Sequence, residues 1–254
     1  MLRAIRELLP NEDLIYFGDN AHLPYGEKSM EEIRKFSEGV TDFLLEKKCK
    51  LIVIACNTAS AAALKYLREI HPEIPFVGME PAVKPAAEQT QSGVVGVIAT
   101  TATFQGELFA SVVERFAQNV KVLNQPCPGL VQQIEAGKLE TADTETMLRG
   151  WLEPMMEKNI DTLVLACTHY PFVLPLIKKI VGEKVRVIDP APAVARQVKK
   201  VLTEKDLLNE NEMQKKSGSG VEKVAVDYFT SGDAEIFAKT LFVLTGVNSK
   251  IQGF

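Results

Sequence analysis

Two segments of this chain end an aliphatic run on an Ala-Cys pair. Leu51-Ile52-Val53-Ile54-Ala55-Cys56-Asn57-Thr58-Ala59-Ser60 carries Cys56, and Thr162-Leu163-Val164-Leu165-Ala166-Cys167-Thr168-His169-Tyr170-Pro171 carries Cys167. In each, hydroxyl-bearing and polar residues follow the thiol, and a helical pattern follows them. Two thiols at equivalent positions of two similar units suggest one site with a sulfur on either side. That arrangement suits a reaction in which one face of a substrate loses a proton while the other gains one.

The thiolate is the reactive form, so the surroundings of each sulfur matter. Cys56 is expected at a strand end, before a helix capped by Asn57 or Thr58. The free N–H groups and dipole of that helix would lower the thiol pKa from about 8.5. Cys167 is expected in the same setting, where His169 can exchange a proton with it or bind an anionic substrate. Taken singly, a cysteine at a strand end is most often a small buried hydrophobe; the matched pair is what favours chemistry. Cys127, between Pro126 and Pro128, reads as structural, and Cys49, among lysines, as incidental. His22 and His71 read as surface residues of loops. Asp19-Asn20-Ala21 leads into Pro24-Tyr25-Gly26, a turn able to present backbone N–H groups to a carboxylate. Thr100-Thr101-Ala102-Thr103 places hydroxyls at a helix start, suited to an anion or to plain capping. Glu135 by itself reads as an ordinary exposed helix acid, and Asp189 and Asp233 read as N-caps.

The elements that must hold these residues alternate. Strands are expected at Leu14–Phe17, Leu51–Ala55, Phe76–Met79, Val94–Ala99, Val120–Leu123, Thr162–Ala166, Val185–Ile188 and Val224–Phe229. Helices are expected at Leu2–Leu9, Ser29–Lys47, Thr58–Ile70, Ala82–Thr90, Phe104–Ala117, Gly129–Ala136, Thr144–Lys158, Phe172–Val181, Ala193–Thr203 and Ala234–Leu244. Ser29-x-x-Glu32 is a capping box, and polar Asn209–Gly220 reads as a flexible loop. Strands apolar on both faces imply a buried parallel sheet, and the alternation implies an α/β fold. Ligands of such folds sit beyond the carboxyl ends of the strands, where both cysteines fall. The helix at Leu2 has no strand before it, so either the fold begins with a helix or its first strand is absent from this chain.

Bulk properties remove several classes. The 254 residues suffice for one large or two modest domains, and the net charge of −4 comes with no basic stripe for nucleic acid. Polar residues interrupt the longest apolar run, Leu51 to Leu64, so no membrane span is expected and a cytoplasmic location follows by default. The four cysteines form no C-x-x-C pair and the three histidines are scattered, which argues against structural zinc and a disulfide framework.

Cys56-Asn57-Thr58-Ala59-Ser60 and Cys167-Thr168-His169-Tyr170-Pro171 resemble the two signatures of the cofactor-independent aspartate/glutamate racemases, and more narrowly of members acting on glutamate. Tyr16-Phe17-Gly18-Asp19, Leu23-Pro24-Tyr25-Gly26, Pro75 to Pro81 and Tyr228 to Asp233 extend the resemblance through nearly the whole chain. It implies two similar α/β domains with mostly parallel sheets, facing each other across a cleft. Residues 1–80 with 189–254 would carry Cys56, and residues 81–188 would carry Cys167. It implies two-base interconversion of L- and D-glutamate with no cofactor and no metal, supplying D-glutamate for peptidoglycan, in a homodimer. By the same carry-over Pro24, Tyr25, Gly26, Asn57, Thr58, Thr100, Thr103 and Thr168 hold the substrate, and Glu135 and His169 assist Cys167.

The chain departs from the pattern in two places. The family's opening strand and Asp-Ser-Gly loop have no counterpart before Leu2. That would leave Cys56 without its carboxylate partner and the first sheet with an unpaired apolar edge, and the 254-residue chain is therefore expected to be impaired as a racemase. Gly106 stands where a hydroxyl residue is common. The alternatives are an aspartate racemase, a decarboxylase or isomerase of the same superfamily, and a non-catalytic amino-acid-binding remnant with a protein partner such as DNA gyrase. Decarboxylases of this type tend to keep one cysteine, so two favour racemisation.

Overall fold

Valine, isoleucine and leucine fill both faces of a pleat, and here they produce short parallel strands covered by helices on each side. The computed structural model describes residues 1–209 and 226–253. Its first part runs α1 (Leu2–Leu8), β1 (Leu14–Gly18), α2 (Met30–Glu46), β2 (Ile52–Val53), α3 (Asn57–Ile70) and β3 (Phe76–Val77). Next come α4 (Val83–Gln89), β4 (Val94–Ala99), α5 (Thr101–Gln105), α6 (Glu107–Phe116), β5 (Lys121–Pro126), α7 (Leu130–Glu135), α8 (Ala142–Met156), β6 (Thr162–Leu165), α9 (Leu174–Val181) and β7 (Arg186–Ile188). The chain finishes with α10 (Ala191–Glu204), β8 (Val226–Thr230), α11 (Ala234–Thr245) and β9 (Ile251–Gly253).

The lobe that carries Cys167 is built on a four-stranded parallel sheet in the order β5-β4-β6-β7. Alternation along β4 sorts its side chains. Val95, Val97 and Ala99 pack with Val83, Phe109 and Val112 of α4 and α6. Ile98 faces the opposite way, into a core formed by Leu130, Ile134, Leu148, Leu152 and Ile177 of α7, α8 and α9. The fold is thus α/β with parallel sheets.

The lobe that carries Cys56 has its strands in two sheets, β1-β8-β9 and β2-β3, all pairings parallel. The edges of β1 and β2 both border a cavity of about 1060 Å³, which continues into the cleft between the lobes. Ser29 caps α2 with the full capping box, since Glu32 N–H donates to its hydroxyl and the Glu32 carboxylate accepts from its backbone.

Several expected boundaries move. The helix expected over 104–117 is two helices meeting at extended Gly106, where an added Cβ would lie 2.7 Å from the Cβ of Ala61. Close approach of α3 is therefore what this glycine permits. A 3-10 turn, Tyr170–Val173, precedes α9. β2 and β3 are two residues each, and β9 has no counterpart in the expected strands. Asp233 caps α11 as expected, whereas Asp189 precedes the cap Pro190 and accepts from the Ala191 N–H. Beyond Asn209, the expected polar loop and the start of the expected strand at Val224 lie outside the described residues. Among the described residues no helix is long and apolar enough to cross a membrane.

Candidate active site

Both cysteines line the same cavity, one from each lobe. Cys56 follows β2 and is itself the N-cap of α3: its sulfur accepts the Ala59 N–H at 3.4 Å. The expected capping by Asn57 or Thr58 is therefore replaced by the thiol. The expected drop in its pKa is overturned as well. Burial pushes the Cys56 thiol up to about 11, aided by the nearby Cys167, against hydrogen bonds from Ala59 and Thr58 that act the other way. Desolvation of a charge here exceeds what a helix N-terminus returns.

Cys167 stands in a different setting from Cys56, contrary to expectation. Thr168, His169 and the 3-10 turn separate it from α9, so no α-helix N-terminus begins at this sulfur. A titratable chain replaces it. His169 Nδ1 lies 3.9 Å from the Cys167 sulfur, and its Nε2 lies 2.7 Å from Oε1 of Glu135. Burial alone would lower the imidazole pKa, but its bonds to Cys167 and Glu135 prevail and carry it up to about 10. Glu135, at the end of α7, is three-quarters covered and is not the ordinary exposed acid its sequence suggested.

The remaining cavity wall supplies neutral donors. Thr58 on α3 meets Thr100 and Thr103 of the other lobe in a triangle of hydroxyls at 2.9, 3.0 and 3.0 Å. Thr100 also caps α5. Asn57 borders the cavity, is 2% exposed, and has neither amide atom hydrogen-bonded within the structure. Buried polar atoms of that kind are normally satisfied, so this amide fits a polar ligand. Thr168 lies on the same wall. Pro24, Tyr25 and Gly26 form a turn at its rim. Tyr25–Glu27 is a 3-10 helix, and an added Cβ on Gly26 would meet the Cβ of Thr100 at 2.8 Å.

Cys127 is buried and its thiol donates to the Gln125 carbonyl at 3.6 Å. Cys49 is half-buried and borders the cavity beside Lys48 and Lys50. His22 pairs with Asp19 and stacks on Phe36, 3.8 Å between centroids. His71 is 18% exposed and stands against Phe76, so it is not the surface residue expected. Sequence reading gave no role to Tyr16, which lines the cavity and stacks on Phe237. Burial first, then the proximity of Glu135, Tyr228 and Cys56, pushes its phenol up to about 12. A tyrosine within a strand carries no local signal of such a position.

One proton carrier thus has a His–Glu relay behind it, while the other is held by backbone N–H groups and the Thr58 hydroxyl, which do not titrate in the working range. Comparison with known proteins agrees with a proton-transfer site of this kind. A glutamate racemase of Stutzerimonas stutzeri is 48% identical over 254 residues, covering all of this chain and 92% of that protein. The crystal structure of the glutamate racemase isoform RacE1 from Bacillus anthracis superposes with a TM-score of 0.84 at 30% identity, covering 100% of this chain and 91% of that one. The glutamate racemase of Francisella tularensis, solved in complex with D-glutamate, gives 0.82 at 32% identity, with 100% and 91% covered. The pattern of the family described as Asp/Glu/Hydantoin racemase matches residues 1–198, and the chain belongs to that family.

Proposed function

We propose that this chain interconverts L- and D-glutamate by two-base proton transfer between Cys56 and Cys167. The observation that carries the reading is the placement of both thiols on one cavity, one from each lobe, with a titratable relay behind one of them. The α-hydrogen of an amino acid is very weakly acidic, so the site must stabilise charge developing on the adjacent carboxylate with preorganised donors. Asn57, Thr58, Thr100, Thr103 and Thr168, with the turn Pro24-Tyr25-Gly26, supply those donors. One sulfur abstracts the proton as thiolate while the other, as thiol, delivers one to the opposite face. His169, held by Glu135, exchanges the proton of Cys167; such general acid–base help contributes about 10²–10⁴-fold. No step calls for a cofactor or a metal.

The glutamate preference is supported by the named glutamate racemases that match the chain end to end. We further propose a division into residues 1–80 with 189–254 and residues 81–188, a cytoplasmic homodimer, and delivery of D-glutamate to peptidoglycan synthesis.

The test is loss of optical rotation from purified protein supplied with L-glutamate and, separately, D-glutamate. Equal free energies of the enantiomers require equal kcat/KM in the two directions, so asymmetry between the cysteines will appear in kcat and KM individually. Cys56→Ser and Cys167→Ser should each nearly abolish racemisation. Robust two-way turnover in either variant would sink the two-base reading, and faster turnover of aspartate would sink the substrate.

A further inference from the structure

Three hydrogen-bonding side chains converge on one carboxylate at the rim of the cleft. Asp19 follows β1 directly and its side chain is 11% exposed. The Tyr25 hydroxyl donates to its Oδ2 at 2.5 Å. The Ser231 hydroxyl donates to Oδ1 at 2.5 Å, and Nδ1 of His22 lies 2.8 Å from the same oxygen. These partners come from three segments: the 3-10 turn Asn20–His22, the 3-10 turn Tyr25–Glu27, and the loop between β8 and α11.

That loop is itself fastened. Ser231 accepts the Ala21 N–H at 3.2 Å, and Thr230 donates to the Asn20 side chain at 3.0 Å. An added Cβ on Gly232 would lie 3.0 Å from the Cβ of Asn20, so the two loops touch. Asp19 is thus anchored on the β1–β8 side and holds Tyr25 on the other. Tyr25 begins the turn that reaches across to the second lobe. Gly26 packs on Thr100, and Glu27 accepts from the Gln132 side chain at 2.9 Å.

We propose that Asp19 is a positioning residue, whose carboxylate aims the Pro24-Tyr25-Gly26 turn into the cleft and fixes it against Thr100. It acts on glutamate only through Tyr25 and the turn. A charged acceptor suits the task, because charge-assisted hydrogen bonds are shorter and stronger than neutral ones. Asp19 is the anchor on the β1–β8 side, and a shift of the Tyr25 ring would carry Gly26, with its backbone N–H, away from Thr100. The inference rests on the racemase reading of the cleft.

Tyr25→Phe and Asp19→Ala test it. Each should raise KM for both enantiomers by about tenfold, the effect of one charge-assisted hydrogen bond, while kcat changes less. The double variant should be no worse than Asp19→Ala, because both remove the same link. Asp19→Asn keeps an acceptor oxygen and should recover part of the loss. Calorimetric titration with D-glutamate should show the same weakening in binding. An unchanged KM and unchanged D-glutamate binding in Tyr25→Phe and Asp19→Ala would overturn the role of Asp19 while leaving the racemase reading intact. So would losses that multiply in the double variant. A wild-type chain that neither binds nor turns over glutamate would overturn both.

Discussion

Nε2 of His169 lies 2.7 Å from Oε1 of Glu135, joining the end of α7 to the loop after β6 that carries Cys167. The pair keeps an imidazolium next to the Cys167 sulfur across the neutral range, because the His169 pKa is carried up to about 10.

Removing the Glu135 charge should therefore move the pH dependence. In Glu135→Gln the His169 pKa falls towards its ordinary value of about 6.5, and the imidazolium is lost at lower pH. The alkaline limb of kcat/KM should shift down by about one unit or more, with the acid limb in place. An alkaline limb identical to wild type would show that His169 is not the titrating group. The stability sign agrees: the folded pKa is raised, so this contribution is whole below about pH 6.5 and lost as pH rises through about 10.

Asp161 predicts the behaviour at the acid end. Burial would raise its pKa, but bonds from the Thr90 hydroxyl, the N–H groups of Ser92 and Gln91, and Thr162 hold it at about 2. A depressed folded pKa contributes stability that is present above about pH 4 and lost as pH falls through about 2. Thermal denaturation of wild type should show this loss between pH 4 and pH 2. Asp161→Ala should start about 1–2 kcal/mol less stable at pH 7 and show a flatter acid dependence. Parallel acid curves for the two proteins would refute the assignment.

The triangle of Thr58, Thr100 and Thr103 joins α3 of one lobe to α5 of the other. Thr58 and Thr103 are buried. Thr58→Val and Thr103→Val should each cost about 1–2 kcal/mol, read from urea midpoints, and raise KM for glutamate. The double variant should cost less than the sum, because the second substitution removes a partner already gone. Strict additivity would mean that the hydroxyls act separately.

What the sequence revealed depended on how local the cause was. Both cysteine positions were legible, since at each an aliphatic run ends on an Ala-Cys pair and a helical pattern follows within a few residues. The reversed pKa of Cys56 was not, because a helix N-terminus can be read from neighbours while desolvation by tertiary packing cannot. The break at Gly106 hid for the same reason, as its cause is Ala61 on another helix. Glu135 looked like surface until His169 was placed against it. The convergence on Asp19 requires Ser231, which lies more than two hundred residues away and meets it only through the pairing of β1 with β8.

The separate edges of β1 and β2 have a consequence for how the molecule breathes. β4 and β6 are covered on both faces by continuous cores, whereas from β1 and α11 only the partly buried Leu14 and Leu244 pack against the core clusters of the described residues, and Tyr228, Phe229 and Phe237 are buried apart from them. Amide hydrogens should exchange slowest in β4 and β6, at rates set by global unfolding, and faster by local opening in β1 and β2. Glutamate that requires donors from both lobes would bind the closed state alone. At a hundredfold excess over Kd it should add about 2.7 kcal/mol to the protection of the looser lobe. Exchange measured with and without D-glutamate would show it, and equal protection in both would deny it. Substrate would then stiffen the lobe whose strands fall in two separate sheets.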